Sequence, residues 1–155
     1  MPGLVHAVKE KIDDTCHVTR LNKGNCSVSL EGMPDEILCI DLDATGSPLG
    51  HQDKRCDYLV FADCSSIPDI FAAIELKNGA LDASDAIAQL QAGASRAEGL
   101  ICSNHNIKFR PVIYSQSANK HQMNELRRAT IRFNGCHEKI RKGKCGDRLS
   151  QYCSK

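Results

Sequence analysis

Residues 55–79 read Arg55-Cys56-Asp57-Tyr58-Leu59-Val60-Phe61-Ala62-Asp63-Cys64-Ser65-Ser66-Ile67-Pro68-Asp69-Ile70-Phe71-Ala72-Ala73-Ile74-Glu75-Leu76-Lys77-Asn78-Gly79. Two apolar runs of strand length, Tyr58 to Ala62 and Ile70 to Ile74, flank a segment rich in turn formers, which predicts a β-hairpin. If the turn centres on Ser66, Asp57 faces Glu75 and Asp63 faces Asp69. Side chains alternate along a strand, so Glu75 and Lys77 share one face while Ile74 and Leu76 take the other. Asp57 then lies within cross-strand reach of Glu75. Two carboxylates so placed repel unless something positive holds them, and a hard divalent cation with oxygen ligands is the usual answer.

Asp57, seventeen intervening residues and then Glu75-Leu76-Lys77 resemble the PD-(D/E)xK nuclease superfamily, which includes the restriction endonucleases. Cys56 stands where the motif has proline. The literal Pro68-Asp69 pair is a decoy, because Asp69 lies six residues before Glu75 on the same strand, roughly 20 Å away. The plain alternative is a surface hairpin whose charges form solvated ion pairs of little energetic weight.

Outward from the hairpin, Glu36 to Asp43 reads as a strand, followed by a turn-rich connection, Ala44 to Gly50. Together with the hairpin it makes a three-stranded meander. Asp41 and Asp43 alternate with Leu42 and could face the site, but the favoured reading is the wet end of a strand. Residues 82–98 form the clearest helix, capped by Asp82 or Ser84 and stopped by Gly99, with a largely alanine stripe suited to close approach to a sheet. Phe109 to Tyr114 reads as a strand parallel to its predecessor across that helix.

Leu4, Val5, Val8 and Ile12 recur at helical spacing and predict a helix over residues 4 to about 15. Residues 16–35 read as a loop with one short strand near Val28 and Leu30. A short helix is expected from Lys120 to about Arg128. Thr130 to Phe133 and Cys136 to Ile140 make a second hairpin about an Asn134-Gly135 turn. The expected fold is therefore α/β (α+β): a mixed sheet flanked by helices in the αβββαβ order that the resemblance implies, plus a basic C-terminal β-hairpin. One domain spans residues 1–155, with its core at about 4–117 and the appendage at about 118–155. The resemblance covers roughly residues 36–117.

The resemblance implies a nuclease that uses Mg²⁺ or Mn²⁺ to hydrolyse phosphodiester bonds, with DNA favoured over RNA. Asp57, Glu75 and the backbone carbonyl of Leu76 would hold the cation, and Lys77 would orient the attacking water or neutralise the phosphate. In some relatives a carboxylate on the first helix also contributes, which points to Glu10 as an outer ligand. In the RecB-like branch a glutamine on the helix after the ExK strand reaches back, and Gln89 is the better match here. The tyrosine that often follows a turn later is replaced by Gly93. A solvent-facing glutamine is the competing reading.

Net charge is +1, but ten lysines and arginines against three acids fall between residues 120 and 155. The remainder of the chain is net acidic. Arg127, Arg128, Arg132, Lys139, Arg141, Lys142, Lys144 and Arg148 are thus candidates to grip a nucleic-acid backbone, with weak sequence specificity and strong salt dependence. A solvated basic tail is the alternative. No recognition domain accompanies the core, so a homodimer or a larger defence or repair complex would supply targeting.

The nine cysteines are odd in number and contain no CxxC. With neither a signal peptide nor a membrane-spanning run in view, the expectation is a cytoplasmic protein with no membrane partner and mostly free thiols. Two other functions compete with nuclease action. One is a non-catalytic nucleic-acid-binding or assembly module that retains the fold. The other is a zinc-stabilised interaction protein built on Cys136, His137, Cys145 and Cys153, whose spacings fit no common finger.

Overall fold

The computed structural model describes residues 3–44, 55–66, 68–101 and 105–153. In chain order the elements are α1 (Leu4–Lys9), β1 (His17–Val18), β2 (Leu21–Lys23), β3 (Cys26–Val28), β4 (Ile37–Asp41), β5 (Tyr58–Ala62) and β6 (Asp69–Lys77). After these come α2 (Ala83–Ala97), β7 (Ile107–Ser115), α3 (Lys120–Arg128), β8 (Thr130–Phe133), β9 (Cys136–Lys139), β10 (Arg141–Gly143) and α4 (Ser150–Cys153). The architecture is mixed α+β, with a six-stranded mixed sheet in the order β1-β4-β5-β6-β7-β10. Most of the turn-rich connection after Ala44 lies outside the described residues.

β5 and β6 pair antiparallel with Tyr58 opposite Ile74 and Ala62 opposite Ile70. This is the register that a turn centred on Ser66 requires. β4 continues the meander against β5, and α2 carries the chain over to β7, which runs parallel to β6. The Asp82 side chain caps α2 by accepting from the amide of Asp85. At the far end of β6, Asp69 Oδ1 accepts from the Cys64 amide at 2.9 Å, so the decoy acid braces the turn.

Alternation along the strands divides the core in two. Leu38, Ile40, Leu59, Phe61, Phe71, Ala73, Phe109 and Ile113 face α1 and α2. Cys39, Val60, Ala72, Ile74, Leu76, Val112 and Tyr114 face the opposite side, which is covered by Leu21, Cys26 and Val28 of the β2–β3 hairpin and by Leu149 and Cys153. All four phenylalanines of the chain meet on the helix side, Phe71 lying 4.9, 5.1 and 5.0 Å from Phe61, Phe109 and Phe133 by ring centroid. Phe133 thereby docks the β8–β9 hairpin onto the sheet, and each such ring pair adds about 0.5–1.5 kcal/mol to simple burial.

Three sequence expectations need correction. The first helix ends at Lys9 rather than near residue 15, because Asp13 caps a separate 3-10 turn, Asp14–Cys16, through the Thr15 amide at 2.9 Å. The segment read as loop holds the β2–β3 hairpin, and β10 adds a parallel edge to β7. Among the described residues the thiols are mostly free, as expected, namely Cys16, Cys39, Cys56, Cys64, Cys136 and Cys153, but Cys26 and Cys145 form a disulfide. That bond and the dispersal of the rest (Cys136 exposed on β9, Cys153 buried in α4) leave no zinc set of Cys136, His137, Cys145 and Cys153. No helix among the described residues is long and apolar enough to cross a membrane.

Candidate active site

The site lies at the sheet end where β5 begins and β6 stops. Asp57 precedes β5 by one residue, yet its amide still donates to the Ile74 carbonyl at 3.0 Å, extending the ladder. The return contact uses the side chain: the Leu76 amide donates to Asp57 Oδ2 at 2.7 Å. Asp57 is thus fixed across from Glu75 by both its backbone and its carboxylate. It is 6% exposed and Glu75 is wholly buried.

Glu75 holds a charge-bearing group in the core with little compensation. Its Oε2 lies 2.9 Å from Lys77 Nζ, an ionic contact, but neither oxygen has a well-directed hydrogen-bond donor. Burial first, and the Asp57 carboxylate second, push its carboxyl up to about 7, with Lys77 and Lys23 acting in the other direction. Lys77 Nζ also donates to Gln89 Oε1 at 3.1 Å and lies 3.6 Å from Asp85, so α2 fixes the amine from above. The structure brings Asp57, Glu75, Lys77 and Gln89 together. For Leu76 it shows the amide engaged with Asp57.

Glu10 is not brought to this cluster. It follows the short α1, is exposed, and pairs with His6 at 3.0 Å. The amide of Val5, at the opposite end of α1, donates to Asp63, which lies beyond the other end of β5 from Asp57.

Lys23 is the participant that sequence reasoning missed. It ends β2, and its Nζ lies 3.2 Å from Asp57 Oδ1. Burial opposes its charge, but Asp57, and then Glu75 and Asp43, outweigh this and raise its pKa. Three contacts deliver it. The Tyr58 hydroxyl donates to the Asn22 carbonyl at 2.8 Å, the Asn25 amide donates to Asn78 Oδ1 at 2.8 Å, and the disulfide pins Cys26. Gly24 turns the hairpin with φ +58 against Asn78, and a Cβ there would collide with that side chain. The only sequence signal was Gly24-Asn25, a turn dipeptide between two very short strands.

Asp41 and Asp43 also face this end. With Asn22, Lys23, Asp57 and Tyr58 they line a cavity of about 160 Å³. Burial, followed by the charges of Asp57 and Asp41, raises the Asp43 carboxyl. Reading both acids as a merely wet strand end understated their proximity to Asp57.

The chemistry of the donors suits a hard cation. Among the described residues no three His, Cys, Asp or Glu side chains converge as a metal set. Mg²⁺, however, commonly takes only one or two carboxylates, with water and phosphate completing its shell. An unpartnered buried Glu75 oxygen beside Asp57 supplies such a pair. Cys56, next to Asp57, is a buried thiol whose pKa is raised by burial, and then by the charges of Glu75 and Asp57.

The proposed nucleic-acid contacts are dispersed. Cross-strand pairing puts Arg132 beside His137 and Lys139 beside Thr130 on the exposed face of the β8–β9 hairpin, with Arg127 and Arg128 exposed at the end of α3. Arg141 and Lys142 lie in β10, where Lys142 Nζ donates to the Ser115 carbonyl at 3.2 Å. Lys144 is exposed, and Arg148 pairs with Glu31 at 3.2 Å. Gln91, two residues after Gln89, serves the hairpin instead, its amide accepting from Arg132 N and donating to Arg132 O, both at 2.9 Å.

Comparison with protein-family models, curated proteins and solved structures finds no match to this chain.

Proposed function

We propose that this protein is a divalent-cation-dependent nuclease on a restriction-endonuclease-like core, acting on DNA with little intrinsic sequence preference. One observation carries the reading: Asp57 and Glu75 meet by strand register, Lys77 Nζ lies 2.9 Å from Glu75, and Glu75 Oε1 is buried without a partner. The order α1, β4-β5-β6, α2, β7 supports the finer fold assignment, because it is the αβββαβ order of that superfamily.

Asp57, Glu75 and the Leu76 carbonyl would hold Mg²⁺ or Mn²⁺, which when bound supplies Lewis-acid activation of water and neutralises phosphate charge. Glu75 serves in this role only when ionised. Lys77, steadied by Gln89, orients the attacking water or meets a phosphate oxygen. In-line attack leaves a 5′-phosphate. The exposed basic face of the β8–β9 hairpin, with Arg127 and Arg128, contacts backbone rather than bases.

Lys23 favours a second reading. An ammonium already seated on Asp57 neutralises part of the site, as a non-catalytic binding module would tolerate. Supercoiled plasmid incubated with Mg²⁺ or Mn²⁺ separates the two. The nuclease reading expects nicking that falls by about a hundredfold or more in Glu75→Ala and in Lys77→Ala. A wild-type protein that binds DNA but never nicks it, with either metal, supports the binding module instead.

A further inference from the structure

A second polar cavity, of about 280 Å³, opens at the sheet edge between the start of β7 and the β8–β9 hairpin. β10 pairs only with Val112 to Tyr114, so the earlier residues of β7 form an edge there. Arg110 stands opposite Ala72 while Glu75 stands opposite Ile113, so Arg110 leaves the sheet on the face away from the carboxylate pair. The two sites are separate.

Arg110 is an unusual occupant of such a position. Its side chain is 9% exposed, and its Nε is buried without any hydrogen-bond partner. One terminal nitrogen donates to the Phe109 carbonyl at 3.0 Å and lies a loose 3.7 Å from Glu138, which is itself 39% exposed. His105 lines the same cavity, and both of its ring nitrogens are buried without partners. Lys108 and Asn134 complete the polar wall. Burial, and next the charge of Arg141, oppose protonation of Arg110, with Glu138 acting in the other direction. A guanidinium with unused donors, a half-engaged carboxylate and an imidazole with no partner describe a cradle for a tetrahedral oxyanion.

We propose that this cavity binds a phosphate group, with Arg110 and His105 as its donors and Glu138 as the counter-ion displaced on binding. The inference does not depend on the carboxylate pair, and it stands whether or not the protein cuts DNA.

Titration with inorganic phosphate, followed by calorimetry and by the side-chain Nε–H resonance of Arg110, tests it. Saturable binding is expected, weakened about tenfold or more in Arg110→Met and tightened severalfold in Glu138→Gln. Circular dichroism checks that Arg110→Met is folded, and Glu138→Gln carries the test if it is not. A 5′-phosphorylated dinucleotide compared with its 5′-hydroxyl form identifies the source: tighter binding of the phosphorylated form points to a nucleic-acid end, and no gain over inorganic phosphate points to the free ion. The absence of saturable phosphate binding by the wild type overturns the proposal. So does binding that Arg110→Met and Glu138→Gln leave unchanged.

Discussion

Lys23 Nζ stands 3.2 Å from Asp57 Oδ1, carried there by a hairpin that covers the side of the sheet away from α1 and α2. Any cation entering the site must share Asp57 with this ammonium. Replacing Lys23 with Met should therefore lower the half-saturating Mg²⁺ concentration by about threefold to tenfold, read by calorimetry. An unchanged or weakened Mg²⁺ affinity would mean that the cation does not use Asp57.

Glu75 makes stability depend on pH. Its carboxyl titrates near 4.5 in the unfolded chain and near 7 in the fold, so between those values the native state keeps a proton that the unfolded state has released. Stability is full below pH 4.5, falls as pH rises toward 7, and levels off above, by a total on the order of 3 kcal/mol at most. Urea melts from pH 4.5 to 8 should follow this slope in the wild type and lose it in Glu75→Gln. Added Mg²⁺ should stabilise more at the alkaline end, since it binds the ionised form.

On the proposed nuclease reading, Gln89 would act through Lys77, whose Nζ donates to it at 3.1 Å, as a positioning residue. Gln89→Ala removes the 3.1 Å hydrogen bond on Lys77 Nζ while leaving the Lys77–Glu75 contact in place. Nicking should slow by about tenfold, with little change in Mg²⁺ dependence, and Gln89→Glu should shift the pH profile of the rate. A rate indistinguishable from wild type would make Gln89 an ordinary surface glutamine.

The meander and the crossover were legible in the sequence because they obey local rules. The β5–β6 register follows from where turn formers sit between Ala62 and Ile70, and the β8–β9 hairpin from Asn134-Gly135, whose φ values of 50 and 79 are those a two-residue turn demands. Asp57, Glu75 and Lys77 were findable for the same reason. Lys23 was not. β2 and β3 are three residues each, too short for alternation to register, and their placement rests on long-range contacts with Tyr58, Asn78 and Cys145. Arg110 was hidden too, since an arginine at a strand position gives no sign of being buried.

The Cys26–Cys145 bond closes a separation of 119 residues. Its removal by Cys145→Ser should cost about 2–5 kcal/mol, seen as a lower urea midpoint that added reductant does not lower further. Because the same bond pins the hairpin that bears Lys23, the variant should also show the tightened Mg²⁺ binding expected of Lys23→Met.

Gly93 lies against Cys56, and a Cβ built there would come within van der Waals overlap of Cys56 Sγ. Gly93→Ala gains helix propensity of about 1 kcal/mol but forces α2 off the strand beside Asp57, so a net loss of about 1–2 kcal/mol is expected. Cys56→Ala should recover most of it in a double-mutant cycle by urea melts. Simple additivity of the two changes would show that the contact is relaxed at no cost.

The paired hydrogen bonds between Gln91 and the backbone of Arg132 have a consequence for solubility. The carboxamide mimics one more peptide group and finishes the outer rim of β8, where a bare rim would offer itself to a strand of another molecule. Gln91→Ala would uncover that rim, and the chain would then be prone to self-association at concentrations where the intact protein stays monodisperse.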